Sequence, residues 1–225
     1  MQYEYRCDGE LDVFRTVKRS TVLSLIVFAA VCLLSGTSGA QQRLLKDQSL
    51  PAEKKILIVY LSRTNNTKAI AEIIHQKVGG TLVSLELKTP YPANYGATVQ
   101  QVVHENETGY LPPLKTTIEH IEQYDVLFLG FPTWDMQLPP PVKSFLHQYN
   151  LKGKTVIPFN TNAGYGSGSS FQTVTELCSG STVLKGFSTR AGAERDGQYL
   201  VIQGARAVQA REEVNTWLKT IGMLK

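Results

Sequence analysis

Residues 55–67 read KILIVYLSRTNNT, and this stretch decides the fold. Ile56 to Leu61 form an unbroken apolar run with β-branched members. That pattern suits a strand buried on both faces in the middle of a parallel sheet. The run stops at Ser62-Arg63-Thr64-Asn65-Asn66-Thr67, a turn rich in hydroxyl and amide groups. Downstream, Ile70, Ile73, Ile74 and Val78 fall on one helical face, and Gly79-Gly80 offer a C-terminal stop. Strand, short polar loop and helix thus follow directly. Such a unit points backbone N–H groups and the positive helix end at whatever lies in the loop. The hydroxyls of Ser62, Thr64 and Thr67 add donors, so the natural guest is a phosphate; the same residues would also serve simply as helix caps. The loop is neither a Walker A sequence nor GxGxxG, so it implies neither a nucleoside triphosphate nor a dinucleotide.

The chain around this unit has 225 residues, 42% hydrophobic and 19% charged, the composition of a globular protein. Residues 1–40 stand apart from it. Lys18-Arg19 precede the apolar run TVLSLIVFAAVCLLS at 21–35, which is short for a membrane span, and Ser38-Gly39-Ala40 place small residues where a signal peptidase reads. We expect a secretory signal peptide cleaved after Ala40, and a mature protein exported to the periplasm. The alternative is an uncleaved leader that anchors the chain in the membrane. Val31 before Cys32 speaks against a lipoprotein. Glu4, Asp8, Glu10 and Asp12 make an unusual acidic front for a leader, which points to a true start at Val13 or Val17 through an alternative start codon.

Of the 23 basic and 19 acidic residues, four of each lie in residues 1–40, so residues 41–225 keep 19 and 15. This mild basicity comes with no Lys/Arg cluster and no aromatic platform, and does not imply a nucleic acid partner. Cys178 alone remains after cleavage, so no internal disulfide is expected; it reads as a small buried hydrophobe. His75, His104, His120 and His147 show no metal-ligand spacing.

Residues 41–54 read as a linker, and residues 55–225 as one α/β domain. TLVSLEL at 81–87, DVLFLG at 125–130, TVIPFN at 155–160 and a short run at 182–184 supply the remaining strands. Pro158 predicts a bulge or a strand end, because an interior strand uses every N–H. The excursion 88–115 carries a candidate helix at 96–106, with Tyr91 and Tyr95 before it as either ligand covers or anchors. Ile118, Ile121 and Tyr124 mark a short amphipathic helix, and further helices are expected over 141–149 and 169–178. Residues 187–202 have no clean period. Ala207, Ala210, Val214, Trp217, Leu218 and Ile221 form the stripe of a last helix, which makes Trp217 a core residue.

Loops after the first, third and fourth strands emerge at one sheet edge, where open α/β sheets bind ligands. Residues 62–67 offer phosphate donors; residues 131–137 offer Trp134 beside hydroxyl and amide groups, with Asp135 next to it; residues 161–168 offer glycines and Tyr165. A flat heterocycle with a phosphate tail suits this set.

Four ordered motifs make the reading specific: Lys55–Thr67, Tyr91–Tyr95, Tyr124–Trp134 and Pro158–Ser170. Together they resemble the flavodoxin superfamily, and most closely its bacterial flavodoxin-like group. Asn65 stands where that family usually has Gly, a mild departure because Asn best tolerates φ > 0 among other residues. The resemblance implies a three-layer sandwich whose five-stranded parallel sheet has the order 2-1-3-4-5, with helices on both faces. It implies FMN as cofactor. It assigns the phosphate to Ser62, Thr64, Asn66 and Thr67 within the loop that Arg63 and Asn65 complete. It places Pro132, Thr133 and Trp134 against the flavin ring, with Asp135 following, and Thr161, Asn162, Gly164, Tyr165 and Gly166 at its other edge. The family usually has an aromatic or small residue where Asp135 stands. Asn65-Asn66-Thr67 is also a glycosylation sequon, but a glycan there would block the phosphate site. The expected function is electron transfer, with a redox protein or a small molecule as partner. The alternatives are an FMN-dependent reductase of quinones or nitro compounds using NAD(P)H, and a binding module of the same fold without redox function.

Overall fold

The fold starts from alternation along its two central strands. In the computed structural model, which describes residues 54–225, β1 is Ile56–Tyr60 and β3 is Val126–Pro132, paired in parallel from Ile56↔Val126 to Tyr60↔Gly130. Successive side chains point to opposite faces of a sheet, so an apolar run buries both. Leu57, Val59, Leu127 and Leu129 enter one core with α3 (Pro140–Gln148) and α4 (Ser170–Leu177). Ile58, Tyr60, Val126 and Phe128 enter the other with α1 (Asn66–Val78) and α5 (Gly204–Thr220). The outer strands are β2 (Thr81–Ser84), β4 (Thr155–Asn162) and β5 (Thr182–Val183), and the sheet order is β2-β1-β3-β4-β5, all parallel. The expected three-layer architecture is therefore the observed one. α2 (Tyr95–Thr108) lies in the excursion between β2 and β3, with the Asn94 side chain accepting from the Ala97 N–H at its start. The predicted signal peptide and all of the linker but Lys54 lie outside the described residues.

Three expectations are corrected. β4 neither bulges nor ends at Pro158; it runs on to Asn162. The hydrogen bonds explain this. The Thr155 N–H turns toward β3, donating to the Asp125 carbonyl, whereas the Val156 and Asn162 carbonyls turn the other way, accepting from Leu184 and Ala191. Pro158 shares the parity of Val156 and Asn162, so its missing N–H falls on the outer side of β4. There β5 has already ended after pairing with Val156, and the next strand pairs only from Phe159 onward. Proline thus sits where the neighbouring edge is broken and no donor is needed. The second correction is that next strand: β6 (Phe187–Arg190), paired with Phe159–Asn162, in a region that shows no clean period. Its side chains alternate buried and exposed over only four residues, too few for periodicity to register. The third is the helix expected around Ile121, which is a single 3-10 turn, Ile121–Gln123. His120 at φ 54° reverses the backbone and stops any longer helix.

Close packing fixes two details near the β3–β4 pair. A Cβ on Gly130 would lie 2.1 Å from the Phe159 ring, so only glycine fits beside it. Trp217 is 7% exposed and packs on Phe187 and Phe128, with ring centroids 5.2 Å and 6.0 Å away. Its indole N–H donates to the Lys185 carbonyl at 2.9 Å, in the gap between β5 and β6. Trp217 is a core residue, as its stripe predicts, and it also satisfies the backbone where the sheet is interrupted. Trp217→Ala should cost about 3–5 kcal/mol in urea unfolding. Trp217→Phe, which keeps most of the area but loses the part-buried bond to the Lys185 carbonyl, should cost less, about 0.5–1.5 kcal/mol. A smaller loss for Ala than for Phe would contradict this account.

Candidate functional site

The site lies where the chain changes direction. From β1 it passes outward to β2, then returns to β3 on the other side, so the loops after β1 and β3 part at the carboxyl edge of the sheet. A cleft of about 400 Å³ opens there, within the usual range for small-molecule sites.

Its floor is the loop 62–67. Asn65 adopts φ 63°, ψ 3°, the left-handed conformation that its glycine-like place demands. This kink precedes α1 directly. The backbone N–H groups of Arg63 to Thr67 have no acceptor among the described residues, while that of Lys68 donates to Ser62 Oγ at 3.2 Å. A run of free N–H groups around a left-handed residue at a helix start is an anion-binding nest. The hydroxyls divide their roles. Thr64 Oγ1 accepts from the Asn66 amide at 2.9 Å, which leaves its own proton free to donate. Thr67 Oγ1 is buried against Thr161 Oγ1 at 2.8 Å, joining the loop to β4.

The wall after β3 is Pro132, Thr133, Trp134 and Asp135. Gln137 N–H donates to the Trp134 carbonyl at 2.9 Å, with Asp135 at φ 51° and Met136 at φ 54° between them. Two consecutive positive φ values define a type I′ turn. Methionine there is strained, at a cost of order 1–3 kcal/mol. The neighbouring loop holds it in place: Ser169 N–H donates to the Met136 carbonyl at 3.0 Å. A Cβ on Gly168 would lie 1.9 Å from that same oxygen, so Gly168 is required for the approach. Trp134 is further supported by Tyr91, edge-on at 5.3 Å. The Tyr91 hydroxyl donates to the buried Glu105 carboxylate, and burial followed by that bond pushes the phenol pKa far up. Tyr91 is therefore an anchor of the excursion, whereas Tyr95, 40% exposed, lines the cleft.

The third loop is built around two asparagines. Asn160, fully buried, donates to the Phe131 carbonyl and Thr133 Oγ1, and its own oxygen accepts from Asn162. Asn162 Oδ1 in turn accepts from the Gly164 and Gly166 N–H groups at 2.9 Å and 3.1 Å. Asn162 thus lines the cleft while its polar atoms shape the loop that carries Tyr165 and Gly166. Of the fifteen predicted site residues, twelve line the cleft and Ser62, Asn65 and Gly164 do not.

A fourth wall was hidden in the sequence. Residues 191–198, after β6, close over the cleft and carry Glu194. Arg63 Nε donates to both Glu194 oxygens at 2.8 Å and 3.0 Å, while its other nitrogens donate to the Pro92 and Ala93 carbonyls. Asn66 Oδ1 accepts from the Val201 and Ile202 N–H groups, and its amide donates to the Tyr199 carbonyl. The side chain of Asn66 is thereby committed to the strap. Around the cleft, Arg63, Arg190 and Arg195 balance Asp135, Glu194 and Asp196. The sequence shows no clean period over 187–202, and nothing local in it marks a wall of the site.

Sheet order and cleft together define the class: a doubly wound α/β protein that binds a nucleotide-like ligand at its switch point. The sequence model described as Flavodoxin matches residues 55–194, and the chain belongs to the flavodoxin family. Among solved structures, a protein of Bacteroides eggerthii provisionally described as a flavoprotein is 27% identical. The match covers 75% of this chain and 98% of that one, with a TM-score of 0.60. A Bacteroides uniformis protein of the same provisional description shares the fold at 23% identity and TM-score 0.61, covering 74% of this chain and 98% of its own. A Lactobacillus acidophilus flavoprotein, solved in complex with FMN, shares it at 24% identity and TM-score 0.53, over 64% of this chain and 98% of that one. No curated protein matches the chain.

The Arg63–Glu194 bond generates a direct test. Glu194→Gln should speed hydrogen exchange of the Asp196, Gly197 and Gln198 amides roughly tenfold, the equivalent of about 1.4 kcal/mol. Amides of α5 should be unaffected. Unchanged exchange at 196–198 would show that Asn66 alone holds the strap.

Proposed function

We propose that this chain is an exported FMN-binding electron carrier. Membership of the flavodoxin family supplies the class and its cofactor, FMN. The observation that carries the assignment to this cleft is the run of free N–H groups at 63–67, at the start of α1 and on the floor of a cleft that Trp134 lines. These residues fit the group. A dianionic phosphate takes the nest and the free Thr64 proton. Trp134, stiffened by Tyr91 and by its turn, offers a flat face to the ring. When bound, FMN supplies the redox chemistry, taking up and releasing electrons. The chain's part is to hold the phosphate, orient the ring and exclude water with the strap 191–202. The equal number of cationic and anionic side chains around the cleft adds no ring of carboxylates against a reduced, negatively charged cofactor.

Electron transfer as the role is supported by the make-up of the cleft, whose polar groups are engaged in binding and in shaping the loops. Export is supported by the leader at residues 1–40. The expected location is the periplasm, and the expected partner a redox protein or a small electron acceptor.

The phosphate assignment predicts a split between ligands. Thr64→Ala removes one hydrogen bond to a charged acceptor, worth about 1.5–3 kcal/mol, so FMN affinity should fall roughly ten- to a hundredfold. Riboflavin, without the phosphate, should be almost unaffected in isothermal titration. Equal losses for both would refute the placement. Trp134→Ala should release flavin fluorescence without unfolding the domain.

Export predicts that protein purified from the periplasm starts at Gln41 by N-terminal sequencing. Recovery with residues 21–40 intact would favour the membrane-anchored alternative.

A further inference from the structure

A second cavity, of about 260 Å³, adjoins the cleft and is walled by α2 on one side and by Thr133, Trp134 and Asp135 on the other. We propose that it binds an uncharged, flat aromatic molecule of one or two fused rings, with carbonyl or hydroxyl groups at its edge, beside the cofactor. The proposal rests on the FMN reading of the neighbouring cleft.

The helix supplies the first argument. Tyr95, Thr98, Val99, Val102 and Val103 stand at i, i+3, i+4, i+7 and i+8, one face of α2, and all five line the cavity. An amphipathic helix normally spends such a face on the core. Here Thr98 and Val102 are buried, but Tyr95 and Val99 at the same face are each 40% exposed. α2 packs along α3, where the Lys143 ammonium donates to the Asn106 side-chain oxygen at 3.0 Å. Its apolar stripe therefore serves the cavity wall.

Charge and size select the ligand. Arg63 has every guanidinium nitrogen engaged, by Glu194 and by the Pro92 and Ala93 carbonyls. Asp135 accepts from the Asn106 and Gln137 amides at 3.0 Å and 3.2 Å. An anionic ligand would lose its hydration and find no free cation on these walls, because Arg63 is paired with Glu194 and Asp135 is itself an anion. The volume falls below the usual range for drug-sized ligands, which leaves room for one or two rings. Tyr95 and Trp134 offer aromatic surface, and the hydroxyls of Thr98 and Thr133 can accept or donate at the ligand's edge.

The position gives the site its meaning. Arg63, Tyr95, Thr133, Trp134, Asp135 and Glu194 line both the cavity and the cofactor cleft. A molecule held there is separated from the cleft by single side chains. It would be the small-molecule partner of the carrier, bound next to the cofactor.

The test uses 1,4-naphthoquinone as probe, in equilibrium dialysis against the oxidised, FMN-loaded protein. Val99→Phe and Val103→Phe each fill the cavity from the α2 side without touching the cleft. Naphthoquinone affinity should fall at least tenfold in both, with FMN affinity within twofold of wild type. The anionic 1,4-naphthoquinone-2-sulfonate should bind wild type at least tenfold more weakly than the parent quinone. The proposal is overturned if wild type takes up no naphthoquinone, if both variants bind it unchanged, or if FMN affinity falls in parallel, which would make the cavity part of the cofactor site. Failure of the protein to take up FMN would overturn the cofactor reading instead. The same dialysis on the unloaded wild type and variants would still decide the cavity.

Discussion

Two side chains of the first loop hold the site together. Arg63 and Asn66 reach residues 131 to 136 positions downstream, where the chain after β6 has left the sheet. That segment has few ladder partners, and a backbone polar group without one is costly when buried. Asn66 meets two of its N–H groups and one carbonyl, and Arg63 fixes Glu194. The same loop must also keep the N–H groups of 63–67 free for a ligand. Both duties are compatible because they use different atoms: side chains tie the strap, and backbone donors face the anion. The left-handed Asn65 permits the division, since it turns the chain between Arg63 and Asn66 without a side-chain bond of its own.

How much of this was legible follows from where the information sits. The central strands were readable because a run buried on both faces must be apolar throughout, as Ile56–Tyr60 and Val126–Phe131 are. The nest was readable because strand, polar loop and helix are contiguous. The strap was not. Its fixing bonds pair residues more than a hundred positions apart, and nothing local in Arg63 or Glu194 announces a partner. β6 escaped for a related reason: four residues with one buried face leave two inward side chains, Phe187 and Thr189, which no period can be drawn through. Pro158 misled because its local rule is sound; only the break between β5 and β6 makes its outer side free. Asn66 and Asn162 line the cleft as expected, yet their amides are spent on shaping loops.

Strain is concentrated beside Trp134. Asp135 and Met136 hold a turn that glycine or asparagine would adopt more readily, and the turn persists because Ser169 and the bare backbone at Gly168 clamp it. The result is an indole fixed from three directions: its own turn, the loop after β4, and Tyr91, which is tied to Glu105 of α2. A ring that must lie against a flat ligand loses less entropy on binding when it is already held. The arrangement also joins α2, the strap and the loops after β3 and β4 into one frame around the cleft.

That frame has an energetic consequence for two ligands. The cofactor cleft and the second cavity share Trp134, Tyr95 and the Arg63–Glu194 pair as a common wall. Any part of that wall that one ligand fixes need not be fixed again for the other, so the proposed second ligand and FMN would be coupled through it. Such coupling is reciprocal: if FMN strengthens binding in the cavity by some factor, a ligand in the cavity strengthens FMN by the same factor. The sign depends on the wall. Arg63 and Glu194 satisfy each other in the present geometry, and both cavities exist with that pair closed. Two ligands that each require the closed pair favour the same state, and so each favours the other.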